Sequence, residues 1–237
     1  CRFSTNESED PISLSQYLEK MPDTQKDIYY ISAETSAQAL ASPHLEGFKS
    51  KNIPVLIMTD AIDQFWLPMI GSFKEKKFTS ITQGKINLDE LDSKNKNKKN
   101  KSSDDKDKQD KEYVDLIAQL KVVLGDQVKD IRLSSKLTDS PVCLVADEGD
   151  MDIAMEQLMA QRDSNYKGAP RILEINGDHS LIKNMKSLLS KKESNDLVSD
   201  AGTLLFEQAR LMEGKMPADP AQFSKIMNQF LLKAIPN

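Results

Sequence analysis

Ile28-Tyr29-Tyr30-Ile31 and Val55-Leu56-Ile57-Met58 are two short apolar runs rich in β-formers, too brief for helices and read as buried strands. Between them, Thr35 to Leu40 and Pro43 to Ser50 carry helical patterns, interrupted where Ser42 precedes Pro43. A strand, a helical crossover and a second strand make a parallel pair. Upstream, Ser13 to Met21 reads as an amphipathic helix with Ser13 as its cap. Downstream, Ala61 to Phe73 places Ile62, Phe65, Trp66, Met69 and Ile70 at helical spacing, and Phe78 to Ile81 supplies a third strand. Residues 1–88 are therefore expected to form a small three-layer αβα domain of the α/β class, with right-handed crossovers.

From residue 89 to 111 the composition changes to lysine, asparagine, serine and aspartate, as in Lys94-Asn95-Lys96-Asn97-Lys98-Lys99. Nothing there can bury surface against the entropy of ordering it, so the reading is a flexible charged linker. A lysine run can also bind polyanions, but acidic residues follow directly and no aromatic residues interleave.

Residues 112–237 read as an α+β domain. Its expected elements are a helix from Glu112 to Leu124 stopped at Gly125, strands at Val128 to Leu133, Val142 to Ala146 and Arg171 to Ile175, and a helix at Met151 to Arg162. Asn176-Gly177-Asp178 begins a helix to about Lys192, with Asp178 as its cap, and helices follow at Asp196 to Met212 and Asp219 to Ala234.

The chain has 237 residues, 38% hydrophobic and 29% charged, with a net charge of −5, so no global basic field draws in nucleic acid. Its two cysteines, Cys1 and Cys143, cannot build a disulfide framework or a metal knuckle and fit a reducing compartment. No apolar run approaches the roughly 20 residues of a membrane helix, and the first residues have no signal-peptide core. A cytoplasmic protein without membrane contact is expected.

Candidate chemistry is sparse. Asp178-His179-Ser180 cannot be a triad, because consecutive residues at a helix start diverge whereas triad side chains must converge. His44 reads as a lone surface histidine and Cys143, inside Val142-Cys143-Leu144-Val145, as a buried inert thiol. No metal site is expected with two histidines and no further ligands at suitable spacing. Gly71, Gly84, Gly125 and Gly149 are isolated and match neither phosphate-loop fingerprint.

Two apolar patterns carry more information. In the Met151 to Arg162 helix, Met151, Met155, Leu158 and Met159 share one side while Asp152 and Glu156 face away. Methionine suits a surface that accepts varied apolar partners, although periodicity alone favours core. Leu197, Ala201, Leu204, Leu205, Ala209 and Met212 form one late stripe, and Phe223, Ile226, Met227, Phe230, Leu231 and Ala234 another. Joined by Gly214-Lys215-Met216-Pro217, these helices make a hairpin that would close a four-helix bundle with a second copy, or dock onto its own domain.

Gln25-Lys26-Asp27-Ile28-Tyr29-Tyr30-Ile31-Ser32-Ala33-Glu34-Thr35, Ser42-Pro43-His44-Leu45-Glu46, Asp60-Ala61-Ile62-Asp63, Leu137-Thr138-Asp139-Ser140-Pro141 and Leu173-Glu174-Ile175-Asn176-Gly177-Asp178-His179-Ser180-Leu181-Ile182 occur in this order. Together they resemble the C-terminal portion of the ninety-kilodalton heat-shock chaperone family, in its bacterial branch. The resemblance covers almost the whole chain outside the linker. It implies that residues 1–88 are the last part of a middle domain and 112–237 a C-terminal dimerisation domain. It also implies ATP- and magnesium-dependent chaperone action by the full-length dimer. The nucleotide-binding domain and the loop with the catalytic arginine are missing here, so this segment is expected to be no enzyme and to hold no cofactor.

The resemblance turns the methionine-rich helix toward a cleft between protomers. Met151, Met155, Leu158 and Met159 are then expected to touch partly folded clients, assisted by Phe65 and Trp66. Leu204, Leu205, Phe223, Ile226, Met227 and Phe230 are expected at the homodimer interface. The ending Lys233-Ala234-Ile235-Pro236-Asn237 departs from the acidic tail that recruits tetratricopeptide co-chaperones, and Gly177 stands where the family often has proline. The competing expectations are a purely structural homodimerisation module and an enzyme, which would need a nucleophile elbow or a phosphate loop.

Overall fold

The computed structural model describes residues 1–22, 24–84, 86–88, 102–163, 166, 168–190 and 195–235. Among the described residues it is a mixed α and β protein with two sheets and nine α-helices. It divides into two compact units, the first comprising residues 1–102, 135–139 and 145–169, the second residues 103–134, 140–144 and 170–237.

The first unit is built on a five-stranded sheet. Its strands are β1 (Ser4–Thr5), β2 (Ile28–Ser32), β3 (Leu56–Met58), β4 (Ser72–Phe73) and β5 (Lys76–Ser80), in the spatial order β1-β3-β2-β5-β4. The three strands legible in the sequence form the parallel centre, with Ile31 opposite Ile57 and Tyr29 opposite Thr79. The two-residue strands β1 and β4 are antiparallel edges. Strand alternation sorts the apolar side chains onto two faces. Ile28, Leu56 and Met58 join Tyr17 of α1 (Leu14–Lys20) and Leu67 of α4 (Asp63–Ile70). On the other face, Tyr29, Ile31 and Ile57 join Ala39 of α2 (Ser36–Leu40) and Phe48 of α3 (Glu46–Ser50).

Local chemistry explains these helices. At α1, Ser13 accepts the Gln16 N–H while the Gln16 side chain accepts the Ser13 N–H, a reciprocal cap. Pro43–Leu45 winds as a 3₁₀ turn before α3, and His44, expected at the surface, is buried in it. The helix expected from Ala61 to Phe73 stops at Ile70, because Gly71 takes a left-handed φ of 66° and turns the chain into β4. Buried Tyr17 donates to the Pro54 carbonyl at 2.6 Å and accepts from Gln25 and the Tyr29 N–H; burial pushes its phenol far up.

Residues 135–139 complete this unit. Lys136 is fully buried and donates to the Ile81 carbonyl at 3.0 Å. The Thr138 and Asp139 N–H groups both donate to Glu46 Oε2 at 2.8 Å. Gly47 must lack a side chain, since a Cβ there would meet the Lys136 carbonyl and Leu88 at 2.5 Å.

The second unit packs α5 (Ser102–Leu124), α7 (Ser180–Ser190) and α8 (Asn195–Met212) on a three-stranded sheet of β6 (Val128–Leu133), β7 (Val142–Val145) and β8 (Arg171–Ile175), ordered β6-β8-β7. β6 and β8 are parallel, with Ile131 opposite Leu173. α9 (Pro220–Ala234) packs on α8. α5 begins at Ser102, ten residues before the expected Glu112, inside the stretch read as linker. Lysine, glutamine and glutamate are good helix formers, and lengthening a helix already seated through Tyr113, Leu116 and Leu120 is cheap. Residues 89–101 of that stretch lie outside the described residues.

Candidate functional site

The methionine-rich segment belongs to the first unit, as α6 (Ile153–Arg162). Asp152 caps it, accepting the Ala154 N–H at 2.9 Å, so Met151 precedes the helix instead of lying on it. The buried helix positions are Ile153 and Glu156. This corrects the expectation that Glu156 faces away: its carboxylate accepts the Ala169 N–H at 2.7 Å, and Gly168 fits against it with φ +69°. At ~100° per residue, Met155, Leu158 and Met159 are turned about 90° to 170° from that anchored side. They are half-buried, and Met151 is 39% exposed.

α4 presents a second apolar surface of Phe65, Met69 (85% exposed) and Ile70, with Ile62 just before the helix. Trp66 does not join it. Its ring packs between Phe3, tilted at 6.0 Å, and Phe78, edge-on at 5.7 Å, and its indole N–H donates to Asp63 Oδ1 at 2.6 Å. Trp66 is thus partly core, and the exposed members of that helical pattern are its neighbours.

The α8–α9 hairpin splits the residues expected at a dimer interface. Leu205 lies in the second unit's core and Ile226 is buried, so these two belong to the fold of the chain itself. Leu204, Phe223 and Phe230 are half-buried, Phe230 against the core, while Met227 is exposed. The residues that stand out are Leu231, Leu232 (75% exposed) and Ile235. Leu231 and Leu232 are turned about 140° and 240° from Ile226 at ~100° per residue. The stripe is wider than the part its own unit covers. Glu207, buried in α8, fixes the turn by accepting the Ala218 N–H at 3.1 and 3.2 Å while pairing with Arg210 at 3.3 Å.

The polar residues singled out by sequence have structural tasks. His179, not Asp178, caps α7, its Nδ1 accepting the Leu181 N–H at 3.1 Å; Asp178 pairs with Lys183. The Cys143 thiol is buried, 3.9 Å from Glu174 Oε2. Glu174 also holds Arg132 at 2.8 Å and Ser134 at 2.9 Å. Among the described residues, no group of three His, Cys, Asp or Glu side chains could hold a metal ion, and no helix is long and apolar enough to cross a membrane.

These surfaces share one chemistry: apolar side chains left partly uncovered on helices whose opposite sides are anchored. The family model described as Hsp90 protein matches residues 1–236. The chain is 41% identical to the chaperone protein HtpG of Roseobacter denitrificans over 237 residues, covering 99% of this chain and 38% of that protein. Its identity to the HtpG chaperone of Wolbachia pipientis wMel is 37% over 234 residues, 98% of this chain and 36% of that protein. With the protein of that name from Streptomyces coelicolor it is 36% over 228 residues, 96% and 35%. The chain belongs to the Hsp90 family, and it spans little more than a third of these relatives' length.

Proposed function

We propose that this chain is the client-contacting and self-associating part of an ATP-dependent bacterial chaperone that works in the cytoplasm, with nucleotide and magnesium bound by a domain outside it. Two copies associate through the outer side of α8 and α9, led by Met227, Leu231 and Leu232 and flanked by Leu204, Phe223 and Phe230. Partly folded clients touch Met151, Met155, Leu158 and Met159, with Phe65 and its exposed neighbours on α4. Short, polarisable contacts of this kind hold many sequences weakly.

One observation carries the reading: α6 is fixed by Ile153 and Glu156 while Met155, Leu158 and Met159 remain half-covered. Replacing the three methionines and Leu158 with serine should weaken suppression of client aggregation and leave the melting temperature nearly unchanged. A large loss of stability, or unchanged suppression, overturns it. The uncovered end of α9 by itself favours a homodimerisation module without client contact; dimeric protein that gives a model client no protection would establish that alternative.

A further inference from the structure

The start of α6 is sewn to the five-stranded sheet. Beyond the end of β5, the Ala146 N–H donates to the Thr82 carbonyl at 2.9 Å and the Gly84 N–H to the Ala146 carbonyl at 2.8 Å. The Gln83 amide donates to the Asp150 carbonyl at 2.6 Å. The seam closes on Asp152, whose Oδ2 accepts from the Ser80 hydroxyl at 2.5 Å and the Thr82 hydroxyl at 2.9 Å. Its Oδ1 meanwhile caps the helix. A cap needs one oxygen, and serine or threonine would serve. Here a second oxygen is taken by two buried hydroxyls, in bonds strengthened by the carboxylate's charge.

We propose that Asp152 is the positioning residue of the Met155–Leu158–Met159 ridge, gripped by Ser80 and Thr82 so that the first unit's sheet fixes where α6 begins and how the ridge is presented. The proposal rests on reading that ridge as a client surface. The grip matters because α6 buries only Ile153 and Glu156 on its own length, and a helix with so few buried contacts opens locally at low cost.

Hydrogen exchange on the whole chain tests this with two variants. Asp152→Ser keeps a capping hydroxyl too short to reach the sheet, and Ser80→Ala with Thr82→Val removes the grip from the other side. Both should speed exchange of the α6 amides by about tenfold with β2 and β3 unchanged, and both should lower suppression of client aggregation. Asp152→Asn, which keeps the cap but loses the charge and sets an amide NH2 where an oxygen accepts, should fall between the parent and Asp152→Ser. Unchanged α6 exchange, or acceleration spread equally over β2 and β3, overturns the grip. Faster α6 exchange, with aggregation suppression untouched by these variants and by the serine variant of the ridge, upholds the grip and removes the client reading.

Discussion

α6 and α9 present similar apolar periodicities yet are secured in opposite ways. α6 is held by polar chemistry, with a carboxylate cap gripping the sheet and a buried glutamate receiving a loop N–H, and its apolar side chains are largely surplus to its own fold. α9 is held by apolar packing of Ile226 and Phe230, and only its far side is surplus. Periodicity therefore identifies an apolar surface without saying which angular part of it the chain uses for itself. That depends on where the anchors sit, and on α6 one of the two buried anchors is a charged residue.

Mutations can break this comparison, beginning with the deepest site. Leu205→Asp buries an unpaired carboxylate and should unfold the second unit at a cost of several kcal/mol, seen as loss of its thermal transition. Leu232→Asp on the neighbouring helix should leave that transition within about 0.5 kcal/mol while converting a dimer to monomer in sedimentation. Unfolding by the second substitution would show that the outer side of α9 is core after all.

On α6, Ile153→Ala should destabilise by about 2–4 kcal/mol, whereas Met155→Ala should cost about 1 kcal/mol or less, since only the former is fully enclosed. Equal losses in chemical denaturation would erase the distinction between anchor and ridge. Glu207→Gln should cost about 1–2 kcal/mol by weakening a charge-assisted bond at the α8–α9 turn, measured in the same way.

The smallest effect concerns Lys121 and Asp130 in the second unit, 2.5 Å apart and about half exposed. Burial raises the Asp130 carboxyl, but the Lys121 ammonium and the Ile131 N–H outweigh it, and it titrates below its ordinary value. Its contribution is present above the unfolded value of about 4 and is lost as the pH falls through the lower folded value. Lys121→Met should remove a few tenths of a kcal/mol at neutral pH and nothing in strong acid.

Much of the secondary structure was legible because β2, β3 and β7 are built on short apolar runs, and helices such as α1 and α9 carry their own caps at Ser13 and Asp219. β1 and β4 were not, since two residues cannot show a period. At the candidate surfaces the stripes were visible but their partition was not. Pattern reasoning sends Glu156 to solvent, whereas a backbone N–H partner makes its burial tolerable. The Ser80 and Thr82 hydroxyls left no trace in sequence, because a small polar residue at a strand end is usually punctuation.

Gly47 lies flat against the backbone of Lys136, a residue made long after it. During synthesis the first unit therefore emerges with a vacant seat and waits for residues 135–139 and 145–169 before it can close. A ribosome paused midway would hold a sheet whose finishing pieces are still unmade, which is the interval when such a nascent chain most needs shelter.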